Sequence, residues 1–397
     1  MTTVAVPTAA APQSPPTDIP LSLYLHLPWC ARKCPYCDFN SHAVRGPIPE
    51  AAYVDALIRD LDFELQDTEI RPVGSVFFGG GTPSLFSASA IGRLIDQAAC
   101  RLQFASDVEI TLEANPGTAE AENFRGYRAA GVNRLSIGVQ SFDDAQLKTL
   151  GRIHGRAEAL RAVDMARAAD FDNLNLDLMF ALPGQAQDQA LADLETAISL
   201  HPEHLSWYHL TIEPNTEFAA RPPSLPDVDT AAALHDAGCE RLARAGFTQY
   251  ETSAFAQAGR ACRHNLNYWQ FGDYLGIGAG AHAKRSSLTA AGMRIERRAR
   301  HKHPRTFMER AGDRSVLQEA RLLQAAELPF EFCMNALRLH QGVAREAFAQ
   351  RTGRRFEELC APLREAEGLG LIERSEARLM PSETGRRYQN RLLELFL

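Results

Sequence analysis

Short apolar runs alternate with amphipathic stretches from residue 21 to about residue 255, and this alternation restricts the fold more than any other feature. The apolar runs are nearly continuous, as expected for strands buried on both faces of a parallel sheet. Six of them are predicted to be strands: 21–28, 75–80, 108–116, 134–142, 173–184 and 204–214. Apolar residues recur at helical spacing in the stretches between them, near 51–66, 88–101, 118–130, 156–169 and 188–200. The pattern predicts an α/β fold with six β/α units, arranged as a partial (β/α)6 barrel.

The sequence suggests four successive parts. Residues 1–19 are rich in Ala, Pro and Thr and are expected to form a disordered tail, followed by the barrel over 20–255. Residues 256–312 are interpreted as a connecting segment, which contains the motif HNLNYW and a basic stretch. Residues 313–397 combine helical patterns with a run, GLGLIERSEARLMP, that resembles a two-stranded wing. We therefore expect a smaller, winged-helix-like C-terminal domain.

Composition limits the classes of function. Apolar residues make up 45% and charged residues 23% of the 397 residues, which is ordinary for a globular protein. The formal net charge of −7 argues against attraction of the whole chain to nucleic acid. No apolar stretch approaches the ~20 residues that cross a bilayer, and the N-terminus lacks the pattern of a secretory signal. We expect a cytoplasmic protein with at most peripheral membrane contact and no nucleic-acid partner.

Three of the eight cysteines, Cys30, Cys34 and Cys37, lie within eight residues, directly after the first predicted strand. A tight cluster of thiols is more typical of a metal or iron–sulfur site than of a disulfide framework. Three thiolates can hold three irons of a [4Fe–4S] cubane and leave the fourth iron open to another ligand. Zinc is the alternative. It usually needs four protein ligands, and His26 or His42 is available to complete such a site.

Further polar and glycine-rich positions follow the other predicted strands. They are Gly79, Gly80, Gly81 and Thr82 after the second strand, Glu113 and Gln140 at the ends of the third and fourth, Arg152 beyond the fourth, and Asp177 in the fifth. Because parallel β/α folds build their sites at the carboxyl ends of the strands, we expect these residues to surround one site. The alternative for each of them is an internal hydrogen bond that only holds the barrel together.

The cysteine spacing after a first strand resembles the radical S-adenosylmethionine (SAM) superfamily. The resemblance implies that the open iron of the cluster binds SAM, and that an electron donor supplies the electron that cleaves SAM. It implies that the glycine motif, Glu113, Gln140, Arg152 and Asp177, with Tyr24 of the first strand, contact SAM. The chemistry would belong to the cofactor, while the protein positions it.

Seven segments together resemble the oxygen-independent coproporphyrinogen III dehydrogenase family within that superfamily. They are YLHLPWCARKCPYCDF, FGGGTPS, LEANP, SIGVQSFD, LGRIH, LMFALPGQ and HNLNYWQFGDYLGIGAGAH. Dehydrogenases of the family carry a further cysteine two places after the third, where this chain has Phe39, and a longer N-terminal arm. The chain is more similar to the HemW-type haem chaperone branch, which implies transfer of haem to acceptors such as respiratory haem enzymes. Oxidative decarboxylation of a porphyrinogen is the alternative function, so the sequence leaves open whether the chain is an enzyme.

In the chaperone branch the motif His-Asn-x-x-Tyr, here His264, Asn265 and Tyr268, is associated with haem binding. Histidine is a common axial ligand of haem iron, and neighbouring aromatic rings can stack on the macrocycle. The same motif is also consistent with a turn that docks the second domain. The basic stretch RIERRARHKHPR, with His301 and His303, resembles a solvated linker, and the steering of haem propionates is the alternative. A homodimer is compatible with all of these interpretations.

Overall fold

The computed structural model describes residues 19–397 apart from residues 67, 69, 70, 119, 120 and 291. The predicted tail lies outside the described residues except for Ile19, which is buried. The strands, in chain order, are β1 (Leu21–Leu27), β2 (Trp29–Cys30), β3 (His42–Ala43), β4 (Val73–Gly80), β5 (Phe104–Ala114), β6 (Arg134–Gln140), β7 (Leu174–Phe180), β8 (His204–His209), β9 (Thr248–Glu251), β10 (Ala254–Ala256), β11 (Asp273–Ile277), β12 (His282–Thr289), β13 (Gly292–Arg300), β14 (Leu317–Leu322), β15 (Val343–Ala344) and β16 (Arg378–Leu379).

Helices follow most of these strands. In chain order they are α1 (Glu50–Leu65), α2 (Ala88–Ala99), α3 (Ala121–Ala129), α4 (Asp144–Thr149), α5 (Arg156–Ala168), α6 (Gln187–Ser199), α7 (Glu217–Ala220), α8 (Val228–Arg244), α9 (Arg263–Trp269), α10 (Pro304–Arg310), α11 (Leu328–Ala336), α12 (Glu346–Thr352), α13 (Cys360–Gly368), α14 (Glu383–Arg387) and α15 (Gln389–Glu394). Single 3-10 turns occur at Pro83–Leu85, Pro116–Thr118, Arg314–Val316, Ala325–Glu327 and Phe356–Leu359. Each of the six predicted strands and five predicted helices is present, with bounds that differ by a few residues.

One twelve-stranded sheet organises the chain, in the order β14-β13-β12-β11-β1-β4-β5-β6-β7-β8-β10-β9. The six predicted strands lie side by side in chain order and are parallel. Strand β11 adds a seventh parallel strand beside β1, which the sequence did not predict. Antiparallel strands extend both edges of the sheet. The parallel strands and the helices between them form a partial barrel of the α/β class. The predicted fold class is confirmed.

The alternation along each strand divides its side chains between two environments. Leu21, Leu23, Leu25 and Leu27 of β1 point into the apolar layer beneath α1 and are almost completely buried. The intervening positions of the strands are polar and face the inside of the barrel; Ser22, for example, hydrogen-bonds Ser75 of β4 at 2.7 Å. This barrel interior is therefore polar, whereas the main core lies between the sheet and its helices.

A second apolar core holds the C-terminal region together. It includes Phe332, Phe348, Leu359 and Leu392 and receives Phe271 from the segment before β11. Strands β15 and β16 pair, and Ile372 bridges Pro381, which forms a small wing among the helices as the sequence predicts. Since Phe271 stacks edge-on against Phe332, this region packs directly on the barrel segment.

The basic stretch is not a solvated linker. Most of it forms β13, and Arg300 is buried in a double ion pair with Asp60 and Glu64 of α1. Arg298 reaches the same Glu64 at 3.3 Å. Residues 256–312 thus contribute three strands to the main sheet as well as connecting the two cores. None of the helices in the described residues combines the length and apolar character that a membrane span requires.

Candidate functional site

A cavity of about 430 Å³ opens at the carboxyl ends of the parallel strands. Most residues that the sequence predicts for one site line it together. They are Cys30, Cys34, Cys37, Gly80, Gly81, Thr82, Glu113, Gln140, Arg152 and Asp177. These residues come from five successive strand ends or the loops after them, so the fold brings together residues that the sequence pattern places at strand ends.

The cysteine loop is fixed at both of its ends. Strand β2 leads into it and pairs in parallel with β3, which closes it. The side chain of Asn40 donates hydrogen bonds to the backbone oxygens of Ala279 and Lys302, at 2.8 and 2.9 Å. Thr82 donates a hydrogen bond to the Cys30 thiol at 3.5 Å. The loop is therefore anchored to the sheet on two sides while its cysteines face the cavity.

The three cysteines fit an iron–sulfur cluster better than a zinc ion. Among the described residues there is no group of three His, Cys, Asp or Glu side chains placed to bind one metal ion, whereas in a cubane each thiolate binds a different iron. Of the two histidines available to a zinc site, His26 has both ring nitrogens engaged, with Tyr24 at 3.1 Å and the Asn40 carbonyl at 2.9 Å. The other, His42, lies against His303, and its Nε2 is 3.4 Å from the Lys302 carbonyl. Burial raises the pKa of the Cys30 and Cys37 thiols, which coordination would reverse because bound thiolates are deprotonated.

The glycines bring the backbone close to the cysteine loop. Gly80 has a φ of 113°, a conformation that favours glycine, and its amide donates to Glu113 at 3.2 Å. A Cβ on Gly81 would lie 2.4 Å from the Trp29 carbonyl oxygen. A Cβ on Gly80 would lie 2.6 Å from the His26 ring. The end of β4 can therefore approach β1 and the start of the cysteine loop only because these two positions carry no side chain.

Two half-buried carboxyl groups, those of Glu113 and Asp177, line the cavity. Burial and the neighbouring Asp177 raise the pKa of Glu113 to about 8. Burial also raises the pKa of Asp177, although Asn175 and Ser136 donate hydrogen bonds to it at 2.8 and 3.1 Å. A cationic ligand would reverse these shifts, so this part of the cavity is suited to a ligand with positive charge.

Gln140 and Arg152 form the side wall opposite the glycines. Gln140 has a φ of 72°, unusual for a residue with a side chain, and accepts a hydrogen bond from the Tyr208 hydroxyl at 2.7 Å. Arg152 donates to the Gly138 carbonyl at 2.7 Å and reaches the Cys34 sulfur at 3.6 Å. Tyr208 and Tyr36 also line the cavity, and the sequence analysis missed both. Tyr208 lies in the sixth predicted strand, one residue before β8 ends, and this position near a strand end was the signal available for it.

Tyr24 and Gly79 do not line this cavity. Tyr24 lies below it inside the barrel, beside the rings of Phe77 and His264, whose centroids are 6.3 and 6.0 Å away. Gly79 lies beside the same rings, where an added Cβ would be 3.0 Å from both Phe77 and Tyr24. In the described conformation these two residues shape the layer beneath the cavity.

The residues predicted to bind haem lie at the opposite end of the barrel. His264 on α9 is only 2% exposed, and its ring stacks on Phe77 at a centroid distance of 4.9 Å. Its Nδ1 is 3.2 Å from the Ser75 hydroxyl, while its Nε2 has no hydrogen-bond partner among the described residues. Burial and, to a smaller degree, Arg134 lower the pKa of His264 to about 3. Tyr268 packs edge-on against His264, and Asn265 is half-buried next to it.

Comparison with models of protein families shows the superfamily to which the chain is similar. The model of the radical SAM superfamily matches residues 24–197, the part of the chain that forms most of the barrel and the cavity. The model of the HemN C-terminal domain matches residues 323–388. A solved structure of coproporphyrinogen III oxidase (HemN) from Escherichia coli superposes with a TM-score of 0.78 over 96% of this chain and 90% of that chain, at 23% identity. This likeness shows a shared fold.

Curated relatives define the family more narrowly. "Heme chaperone HemW" of Escherichia coli is 50% identical over 95% of this chain and 98% of that protein. The protein of the same name from Bacillus subtilis is 33% identical over 95% of this chain and 99% of its own length. "Radical S-adenosyl methionine domain-containing protein 1, mitochondrial" of mouse is 38% identical over 83% of this chain and 75% of its length. The chain belongs to the HemW family of the radical SAM superfamily.

Proposed function

We propose that this protein is a haem chaperone built on a radical SAM scaffold, which binds haem and transfers it to acceptor haem proteins. The observation that carries the proposal is the 50% identity, over 95% of the chain, to a protein named heme chaperone. The convergence of three cysteines and the glycine motif on one cavity supports the cofactor part of the proposal.

Cys30, Cys34 and Cys37 would hold a [4Fe–4S] cluster, which suits three thiols on one loop without a fourth protein ligand. Gly80, Gly81 and Thr82 provide an open backbone edge, and Glu113 and Asp177 provide negative charge once ionised, for the methionine part of SAM. A reduced cluster with bound SAM supplies one-electron chemistry. The residues of the chain orient SAM, exclude water and place Arg152 beside the Cys34 thiolate.

His264, Asn265 and Tyr268 remain the haem residues that the sequence motif predicts. Because His264 is buried beneath α9, its Nε2 can reach haem iron only if α9 moves away from β1 and β4. The partnerless Nε2 and the neutral ring that burial favours are compatible with iron binding after such a movement.

Acceptor haem proteins, among them respiratory haem enzymes, are the proposed partners, together with an electron donor for the cluster. A homodimer is the proposed assembly. The cytoplasm is the proposed location. The anionic chain makes nucleic acid an unsuitable partner.

An anaerobic titration of the cluster-reconstituted protein with haem, followed in the Soret region, tests the proposal. We expect saturable binding of haem and its subsequent transfer to an apo-acceptor. Incubation with coproporphyrinogen III, SAM and a reductant runs in parallel and should give no vinyl product. Turnover of the porphyrinogen without haem binding would replace the chaperone assignment by the dehydrogenase alternative.

A further inference from the structure

A second cavity, of about 610 Å³, lies between the end of the cysteine loop and the start of α10. Its walls are mainly apolar and include Trp29, Val44, Ile48, Pro304 and Met308. We call it the β3–α10 cleft. Its volume falls within the range of pockets that hold organic cofactors and drug-sized ligands. The functional assignment above leaves this cleft without a role.

The rim of the cleft is basic although the chain as a whole is acidic. Lys33, Arg45 and Arg305 line it, and no carboxylate is among the lining residues in the described part of the chain. Arg305 pairs with Glu309 at 2.9 Å, whereas Arg45 forms no ion pair with any described residue. Cations around apolar walls complement a flat, apolar ligand that carries carboxylates at one edge.

Two histidines meet at this cleft from distant parts of the sequence. The ring centroids of His42 on β3 and His303 before α10 are 5.7 Å apart, with the rings nearly perpendicular. His42 makes one weak contact, from Nε2 to the Lys302 carbonyl at 3.4 Å, and partial burial lowers its pKa. His303 is exposed, and its ring nitrogens form no hydrogen bond with the described residues. An exposed imidazole whose nitrogens are not engaged is available as a ligand for haem iron.

The cleft also shares a wall with the cysteine cavity. Ser41 lines both spaces, and its hydroxyl lies 3.8 Å from the Cys37 sulfur. Asn40 ties the same loop to the Lys302 carbonyl at the far side of the cleft, at 2.9 Å. A change in the cysteine loop therefore changes the shape of the cleft.

We infer that the β3–α10 cleft binds haem, with His303 as axial ligand of the iron and Arg45 and Arg305 facing the propionates. The inference rests on the proposed haem-binding function and assigns the axial ligand to His303 instead of His264 of the sequence motif. Unlike His264, His303 is reachable by haem without displacement of a helix. Haem held in this open cleft keeps one edge in solvent, where an acceptor protein can take it.

Haem titrations of the full chain with reconstituted cluster test this assignment. His303→Ala should weaken haem affinity by about tenfold or more and shift the Soret band, since even the loss of an outer-shell partner of a metal ligand costs about 10–100-fold. His301→Ala is the matched control, because His301 lies two positions away and contacts Arg310 instead. Metal-free protoporphyrin, which has no iron to ligate, should bind wild type and His303→Ala equally.

Charge reversal at the rim gives a second readout. Arg45→Glu should weaken binding of both haem and metal-free protoporphyrin, because both carry propionates. Arg294→Glu, an exposed arginine of β13 outside the cleft, should weaken neither. Circular dichroism and cluster content of each variant show whether it is folded.

The outcomes separate the inference from the proposed function. If wild type binds no haem, the proposed function fails together with the inference. If wild type binds haem, and His303→Ala and Arg45→Glu bind it as tightly, the cleft assignment is overturned while the function stands. Loss of haem binding in His264→Phe, but not in His303→Ala or Arg45→Glu, would place the haem at the closed end of the barrel.

Discussion

The two ends of the barrel are built from the same strands, yet they differ in what their polar side chains do. At the carboxyl end, side chains from six strand ends or the loops after them surround an open cavity. At the amino end, α9 closes the barrel, and His264 fills the space between Phe77, Tyr24 and Tyr268. Polar residues inside a barrel therefore do not by themselves indicate a binding site. A ligand must also be able to reach them.

The electrostatics of the two ends differ in the same way. The pKa of Glu113 is raised by burial and by Asp177, and a ligand cation would relieve this cost. At the closed end Arg134 is itself buried and lies near Glu109, which compensates its charge internally. The carboxyl groups of the open end are therefore suited to a ligand, whereas the charge of Arg134 at the closed end is compensated internally.

The largest expected effect tests the open end. Cys34→Ser should abolish cluster assembly, because two thiolates hold a cubane poorly. Iron and sulfide analysis after anaerobic reconstitution measures the effect. Cys100→Ser, at an exposed cysteine far from the cavity, is the control and should retain full cluster content. A Cys34→Ser protein with wild-type iron and sulfide would show that the cavity is not the cluster site.

A pair of substitutions at His264 tests the closed end. His264→Ala removes a buried ring and should lower the free energy of unfolding by about 2–4 kcal/mol through the cavity it leaves. His264→Phe keeps the ring and the stack on Phe77 and should cost less than about 1 kcal/mol, because only the hydrogen bond with Ser75 is lost. Urea denaturation of the apo-protein provides the comparison. Equal losses in both variants would mean that the imidazole itself, rather than its packing, is required.

The pH dependence of stability tests the half-buried carboxyl of Glu113. Its pKa is near 4.5 in the unfolded chain and about 8 in the folded one, so the folded state holds a proton that the unfolded state loses. The contribution of Glu113 to stability should therefore fall as pH rises from about 4.5 to about 8, by on the order of a few kcal/mol. The buried histidines with lowered pKa, such as His26 and His264, contribute the opposite slope below about pH 6.5.

The control for this prediction is a substitution that keeps the shape of the side chain. The wild type should lose stability relative to Glu113→Gln as pH rises between those limits, while Glu122→Gln, on the exposed face of α3, should follow the wild type. Unfolding of the apo-protein at about pH 5 and about pH 8 provides the measurement. A difference in stability between wild type and Glu113→Gln that is the same at both pH values would contradict the raised pKa.

The smallest expected effect concerns the rim of the open end. Phe39 is 62% exposed and lines the mouth of the cysteine cavity. Phe39→Ser should change the free energy of unfolding by no more than about 0.5 kcal/mol, as for other exposed positions, and should leave cluster content intact. Larger destabilisation would show that the rim is part of the packed structure.

Local patterns determined a large part of this protein. The order and approximate bounds of the six parallel strands follow from apolar runs, because side-chain periodicity is a local property of the chain. The position of the cysteines, glycines and Glu113 around one cavity follows as well, since parallel strands present their carboxyl ends at one edge. The family follows from the spacing of these same residues.

Features that depend on contacts between distant parts of the chain were decided only by the tertiary structure. The motif that contains His264 carries no signal that α9 closes the barrel, because that placement depends on packing against β1 and β4. The burial of Arg300 depends on Asp60 and Glu64, 240 and 236 positions away. The β3–α10 cleft likewise joins His42 to a backbone 260 positions along the chain. Sequence periodicity extends over a turn or a strand, whereas these contacts exist only once the sheet has brought distant segments together.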